Sequence, residues 1–586
     1  MNAPRPTATL LPGLALLASL ACTTPESNAD AARPAEHTAA ASSASSAAAP
    51  SANAEGAKDA PAAQAAEVAS ASSSAAKPAK SASAFLPAAR CALCHDHSPR
   101  ATALTTASGD DASPHGLWKA TPMAQSFRDP YWRAQVAREV EAAPAARAAI
   151  EELCTRCHAP AAHHDARLAN APLASVADLA HDPLATDGVT CTVCHQAQPE
   201  NLGTPASFAG HLDIRPEKRI FGPFASPATG PMRMHTGYTP THGAHVSSSA
   251  LCGACHTLHT AHAPNADAFL EQAPYLEWRN SVYSDEAGRT ASSRTCQECH
   301  MPDLGAMKIA HNPGGRDFNI ATRAPVRGHA FVGGNALLLD LFAEHGAALG
   351  ADVAKAAFER MAAATRAQLA HATAKLELKD VKRADGRLAF DVAIENLTGH
   401  KFPSGYPSRR AWLALEVRSG STTVFASGAP DEKGRIPVLE DELDTRHVDR
   451  VSLATDVPIY EMLANDADGK RTTSLARMAK LAKDTRLLPR GWRADGPHAD
   501  ETRPVGVDGD PDFAAGGDVV HASIALPKDA SGKLTVIARL YYQPIPPAWA
   551  DALRASKTEE AKAFLALYDG ADTGPETVAL AVEIVE

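Results

Sequence analysis

Five pentads decide how this chain is read: Cys91-Ala-Leu-Cys94-His95, Cys154-Thr-Arg-Cys157-His158, Cys191-Thr-Val-Cys194-His195, Cys252-Gly-Ala-Cys255-His256 and Cys296-Gln-Glu-Cys299-His300. They use ten of the eleven cysteines. Two thiols three residues apart suit addition across the two vinyl groups of one porphyrin, and a His directly after them reaches the iron from the proximal side. Zinc ribbons also use Cys-x-x-Cys pairs, but they impose no His after every second Cys. With 25 His in 586 residues, five such placements by chance have odds of roughly one in ten million. The spacing predicts five covalent c-type haems, with His95, His158, His195, His256 and His300 as proximal iron ligands.

Working outward, residues 84–332 hold all five motifs, at intervals of 63, 37, 61 and 44 residues. So few residues per motif build no large apolar core alone, so the porphyrins are expected to supply much of it. Ahead of the motifs, residues 1–22 read as an export signal. The apolar stretch 10–21 is too short to span a membrane. It ends Ser19-Leu20-Ala21-Cys22, which resembles a bacterial lipoprotein signal with Ser19 where Leu is usual. Cys22 is the candidate lipidation site, and an ordinary secretory signal is the alternative. Thr23 follows it rather than Asp, which permits outer-membrane sorting. The expected location is periplasmic, or the outer membrane or cell surface as a lipoprotein, with the lipid as sole membrane anchor.

Residues 23–83 are almost all Ala, Ser, Pro and scattered charge, too poor in apolar bulk to offset their ordering entropy. They read as a disordered linker. Its coil reach is about 45 Å and its extended reach about 200 Å. The net charge of −11 argues against nucleic acid and allows steering toward basic redox partners. Redox proteins or a small inorganic electron acceptor are the expected partners.

Downstream, residues 333–375 read as a helical connector: Asn335 caps an apolar stripe, Gly346 and Gly350 break it, and a second helix carries Val353, Phe358, Met361 and Leu369. From 376 to 586 the apolar pattern has period two, as in 388–394, 412–417, 519–524, 534–540 and 578–585. That alternation predicts an antiparallel β-sandwich-like domain, with helical inserts at 473–483 and 547–568. The fold class is thus a helical, loop-rich multihaem domain followed by a β domain. Of Tyr541 and Tyr542, adjacent on a strand, one is expected in the core.

Each haem iron has a second axial position, and its occupant decides between a closed, low-spin centre and an open one. His400, in Thr398-Gly-His-Lys-Phe-Pro403, either reaches a haem from the strand region or caps a strand. His163 or His164, just after the second motif, is a candidate against a solvated loop histidine. His245 precedes the fourth motif and ranks ahead of His235 and His242. For the first haem, His115 competes with Met123, whose thioether would raise the potential if it is not simply core packing. His259 and His262 follow the fourth motif too closely to serve its own haem and suit a neighbour better. Arg409, Arg410 and Arg490 are candidate propionate partners, surface ion pairs being the alternative. No Ser-His-Asp set, phosphate loop or carboxylate dyad points to hydrolysis.

Three blocks carry a resemblance: Trp118-Lys-Ala-Thr-Pro-Met-Ala-Gln-Ser-Phe-Arg-Asp129, Asp187-Gly-Val-Thr-Cys-Thr-Val-Cys-His195, and Glu277-Trp-Arg-Asn-Ser-Val-Tyr283 before the fifth motif. Over residues 88–335 the chain resembles multihaem cytochromes related to the tetrahaem carriers of nitrifying bacteria, hydroxylamine oxidoreductase and pentahaem nitrite reductase. The blocks 396–410, 486–492 and 540–545 are similar to the C-terminal region of exported bacterial multihaem cytochromes. The resemblance implies closely stacked haems for electron transfer, and it places a distal ligand at His329, in Arg327-Gly-His-Ala-Phe-Val-Gly-Gly334. Glycines there would let backbone approach a porphyrin face. The chain lacks the Cys-x-x-Cys-Lys motif of pentahaem nitrite reductases, and hydroxylamine oxidoreductase has more than five motifs. The expected activity is therefore electron relay. The alternatives are a reductase of a small nitrogen or sulfur compound at one open haem, and a subunit of a conductive filament.

Overall fold

The structure, a computed structural model, describes residues 83–261, 267–528, 530 and 532–586. The signal residues 1–22 with Cys22, the linker up to residue 82, and His262 lie outside the described residues. Among those described, no helix is long and apolar enough to cross a membrane.

The motif region is built from short helices, five of which end at or within three residues of a motif histidine: Ala88–His95, Arg147–His158, Cys191–Cys194, Ser249–Gly253 and Cys296–His300. One helical turn puts cysteines three apart on a common face. The fifth motif supplies its own start: Thr295 accepts from the Glu298 amide while the Glu298 side chain accepts from the Thr295 amide, a reciprocal capping box. Asp129 likewise caps the helix Pro130–Ala142, accepting from Tyr131 and Trp132 N–H with Pro130 at the first position.

The block around Asp187 ties the first and third motifs together. Asp187 accepts from the Ala88 amide, and Trp118 Nε1 donates to Val189 O at 2.9 Å. Gly188, at φ +59°, lies so close to the Met123 and Ala124 carbonyls that a Cβ would sit 2.6 Å from each. Only glycine fits there. Four short strands complete this region: β1 (Arg219–Gly222) pairs in parallel with β2 (Thr239–His242), and β3 (Leu258–Ala261) pairs antiparallel with β4 (Ala268–Gln272).

The helices Ala336–His345 and Lys355–Ala372 follow. The Asn335 side chain accepts from the Leu338 amide, and Phe342 stacks on Phe358 with centroids 5.4 Å apart. Val353 precedes the second helix, whereas Phe358, Met361 and Leu369 are buried in it.

The strand region contributes β5 (Ala374–Ala384), β6 (Arg387–Asn396), β7 (Arg410–Ser419), β8 (Thr422–Ser427), β9 (Arg450–Val451), β10 (Ile459–Tyr460), β11 (Met462–Asn465), β12 (Arg471–Thr472), β13 (Lys480–Asp484), β14 (Gly517–Ala525), β15 (Leu534–Gln543) and β16 (Glu576–Val585). One sheet runs β10-β7-β15-β16 with β8 beside β7; a second runs β5-β6-β14-β9; a third, β12-β11-β13. Alternate residues of β6, β7, β14 and β15, such as Val392, Leu415, Val520 and Val536, enter one apolar core shared by the first two sheets. Tyr542 is part of it, and Tyr541 is only half-buried.

Three expectations need correction. β9 lies parallel to β14, so the second sheet is not wholly antiparallel. Residues 473–483 are not a helix but a 3-10 turn at Leu475–Arg477 followed by β13. Their Ala, Leu and Lys favour helix, but β13 pairs with β11 and Met478 is buried with Phe269, Met462 and Trp549; tertiary packing overrides the propensity. Residues 547–568 divide into two helices, Pro547–Arg554 and Glu559–Gly570, because Thr558 accepts from the Ala561 amide and starts a new one.

Candidate metal centres of the five motifs

Four of the five motif histidines are held in the same way. Nδ1 of His95 meets Ile309 O at 2.9 Å, that of His158 meets Ser126 O at 2.9 Å, that of His195 meets Phe221 O at 2.6 Å and that of His300 meets Val332 O at 2.6 Å. A carbonyl only accepts, so each Nδ1 carries the proton and each Nε2 keeps its lone pair for a metal. Burial pushes the pKa of His95 and His195 down and that of His158 to about 4, which keeps these rings neutral as ligation requires. Trp132 stacks on His158 with centroids 4.5 Å apart and planes 6° off parallel, fixing the ring further. His256 is set apart by its surroundings: burial pushes its pKa down to about 4, and it lies within electrostatic reach of His300, Arg409 and His400.

Two of these rings face a second imidazole. His195 and His329 are 6.1 Å apart between centroids, with planes 18° from parallel. His300 and His400 are 6.2 Å apart and 9° from parallel. An iron bonded to both rings spans two metal–nitrogen bonds of about 2 Å, which places the ring centres about 6 Å apart. His329 and His400 also hold Nδ1 on a backbone carbonyl, Arg327 O at 3.1 Å and Lys401 O at 2.8 Å. The donor sets fit a bis-imidazole haem at the third and fifth motifs.

The other sequence candidates are placed differently. His115 turns Nδ1 toward the Asp96 carboxylate at 3.1 Å, next to the first motif. Met123 is half-buried, and its carbonyl accepts from the Val189 amide at 3.0 Å. His163 and His164, ring centroids 5.5 Å apart, line a surface pocket with Arg156, Gly210 and His211. His245 has Nε2 2.9 Å from Ala197 O and its ring edge-on to Phe221. His259 pairs with Glu501 at 3.1 Å. Of the three arginines, Arg410 is buried against Gln543, Glu442 and the Gly434 carbonyl with its guanidinium over Trp412, and Arg490 pairs with Glu395. Arg409 alone of the three lies near motif histidines.

The motif cysteines draw the five centres together. Cys91 lies within hydrogen-bonding reach of Cys191, Cys157 of Cys255, and Cys252 of Cys296. Cys194 acts electrostatically on both Cys252 and Cys255. The first motif therefore neighbours the third, and the fourth neighbours the second, third and fifth.

A buried charge network places His400 opposite His300, and the sequence reading missed it. Glu277, from the motif region, accepts from the Lys401 amide at 3.1 Å and Ser404 Oγ at 2.5 Å, and pairs with Arg486 at 3.1 Å. Asp484 binds Lys401 Nζ at 2.6 Å and Arg486 at 2.7 Å. Asn396 Nδ2 donates to the carbonyls of His400, Leu487 and Leu488. Two acids and two bases thus fix the loop that carries His400. The available signal was charge inside apolar company: Glu277 between Leu276 and Trp278, and Arg486 before Leu487-Leu488.

No family model and no curated protein matches the chain. Among solved structures it is similar to a penta-heme cytochrome c552 from Thermochromatium tepidum, with 16% identity, a TM-score of 0.48, and coverage of 86% of this chain and 99% of that one.

Proposed function

We propose that this chain is an exported pentahaem c-type cytochrome that relays electrons through closely placed haems. The observation that carries the reading is the near-parallel pairing of His195 with His329 and of His300 with His400, with ring centres at the spacing expected of two metal–imidazole bonds. A haem closed on both faces by imidazole exchanges electrons without binding substrate. The chain's own residues attach the porphyrin through Cys pairs, hold the axial rings through Nδ1 and shield them from water. The cysteine contacts support a relay order of first, third and fourth, with the second and fifth each beside the fourth. Redox proteins or a small inorganic acceptor take the electrons, and Cys22 tethers the chain by lipid.

The test is electron paramagnetic resonance of the oxidised holoprotein beside a haem count. His329→Ala and His400→Ala should each convert one low-spin haem to high-spin with all five haems retained. No change in either variant sinks the assignment.

One observation favours a second reading. Arg409 lies within electrostatic reach of His256, a cationic neighbour suited to a nitrogen or sulfur oxyanion at an open fourth haem. A stoichiometric high-spin signal in the unmutated holoprotein, perturbed by nitrite, would move the assignment to a reductase.

A further inference from the structure

Far from the motifs in sequence, one side-chain cluster of the strand region has the geometry of a ligand shell. His447, Asp510 and Asp518 each offer a donor atom, all lying within 4.8 Å of one another. Metal–ligand bonds of about 2.1–2.5 Å give a shell about 4–5 Å across. The fold assembles it: His447 and Asp449 lead into β9, Asp518 is the second residue of β14, and β9 and β14 pair with His521 opposite Arg450. Asp510 comes from the loop before β14.

The donors are held from behind. Asp510 Oδ1 accepts from the Asp512 and Phe513 amides, which leaves Oδ2 2.6 Å from His447 Nε2. Asp518 accepts from Tyr460 Oη at 2.7 Å and from the Val519 amide at 2.8 Å. Two atoms have no protein partner: Asp449 Oδ1 and His447 Nδ1 are buried and unbonded, and the His447 side chain is only 8% exposed. Asp449 in turn acts on Tyr460 and is acted on by Asp510.

The charge does not balance. Three carboxylates converge around a single imidazole, His447, which pairs with Asp510 at 2.6 Å; Arg450 and His521 lie at the margin. Arg450 is 77% exposed at 3.5 Å from Asp449. His521 is engaged by Asp391 and Asp512 and lies 4.0 Å from Asp449. A bound cation offsets the converging negative charge.

We propose that His447, Asp510 and Asp518 bind one divalent cation that accepts mixed imidazole and carboxylate donors. Carboxylates suit Ca²⁺ and Mn²⁺, and imidazole suits Zn²⁺; Mn²⁺ tolerates both donor types and is the first choice. The site fastens the loop before β14 to the β9 edge of the sheet, independently of haem chemistry.

The experiment uses the full-length holoprotein, stripped with chelator and titrated with Mn²⁺, Ca²⁺ or Zn²⁺ by calorimetry, with elemental analysis for stoichiometry. One equivalent of Mn²⁺ should bind and raise the melting temperature. Asp510→Asn and Asp518→Asn should each weaken binding at least tenfold while leaving the haem count and haem spectrum unchanged. Preferential binding of Ca²⁺ or Zn²⁺ with the same sensitivity supports the site and changes the ion. Failure of all three ions to bind stoichiometrically, or binding undiminished in both variants, overturns it.

Discussion

The two halves of the chain are packed from different materials. In the largest apolar cluster of the motif region, seven of sixteen buried residues are alanine, Ala159, Ala161 and Ala162 among them. The core shared by the two large sheets has 25 buried residues, of which four are alanine; the rest are mainly Leu, Val, Ile and aromatics such as Leu415, Val520 and Phe390. Burial of apolar area scales with side-chain size. The strand region therefore stabilises itself, whereas the motif region has small residues, short helices and histidines braced on backbone carbonyls. That is how a chain is built when a large flat cofactor supplies the missing volume.

Blocking haem attachment gives the largest effect expected from this difference. In such a chain, residues 84–332 should lose protection from limited proteolysis while residues 376–586 stay protected and keep their β-sheet circular dichroism. Equal loss in both halves would break the comparison.

The Glu277–Arg486–Asp484–Lys401 network joins the halves, and Arg486→Met should cost about 3–5 kcal/mol in denaturant unfolding, because it leaves buried Glu277 without its cation and takes one of two from Asp484. The same variant should loosen His400 and produce a high-spin signal. Burial opposes the charge of Asp484, but Arg486 and Lys401 outweigh it and hold the pKa at about 2, below its unfolded value of 3.8. A depressed carboxylate contributes stability above the unfolded pKa and loses it as pH falls through the folded one. Unfolding titrations should show this contribution fade between pH 4 and 2, and the Asp484→Asn variant should lack that dependence.

Within the sheets, Leu415→Ala should cost about 2–5 kcal/mol. The smallest effect belongs to the alanine-rich cluster. Ala162→Gly removes a single methyl and should cost about 0.5–1 kcal/mol. Thermal melts of holoprotein would sharpen the comparison, and a larger loss at Ala162 than at Leu415 would reverse it.

Much of the fold was legible. Period-two patterning located β6, β7, β14, β15 and β16, and Asn335 marked a helix start. The parallel β9–β14 pair escaped because a two-residue strand has no period. Residues 473–483 misled because their propensity is helical and only contact with β11 decides otherwise. Among the candidate sites, the ten motif cysteines and five histidines stand out by spacing alone, since that pattern is local in sequence. Distal candidates could only be ranked.

The sequence by itself carried the expectation of haem attachment and of the proximal histidines, and the contrast between helical and period-two patterning, because these depend on spacings of two to four residues. Only the tertiary structure decided that His329 faces His195, that His400 crosses from the strand region to face His300, and which motifs are neighbours. Those pairings span 134 and 100 residues. They are fixed by long-range packing, above all by the buried ion pairs of Glu277 and Arg486, and no local pattern encodes such a distance.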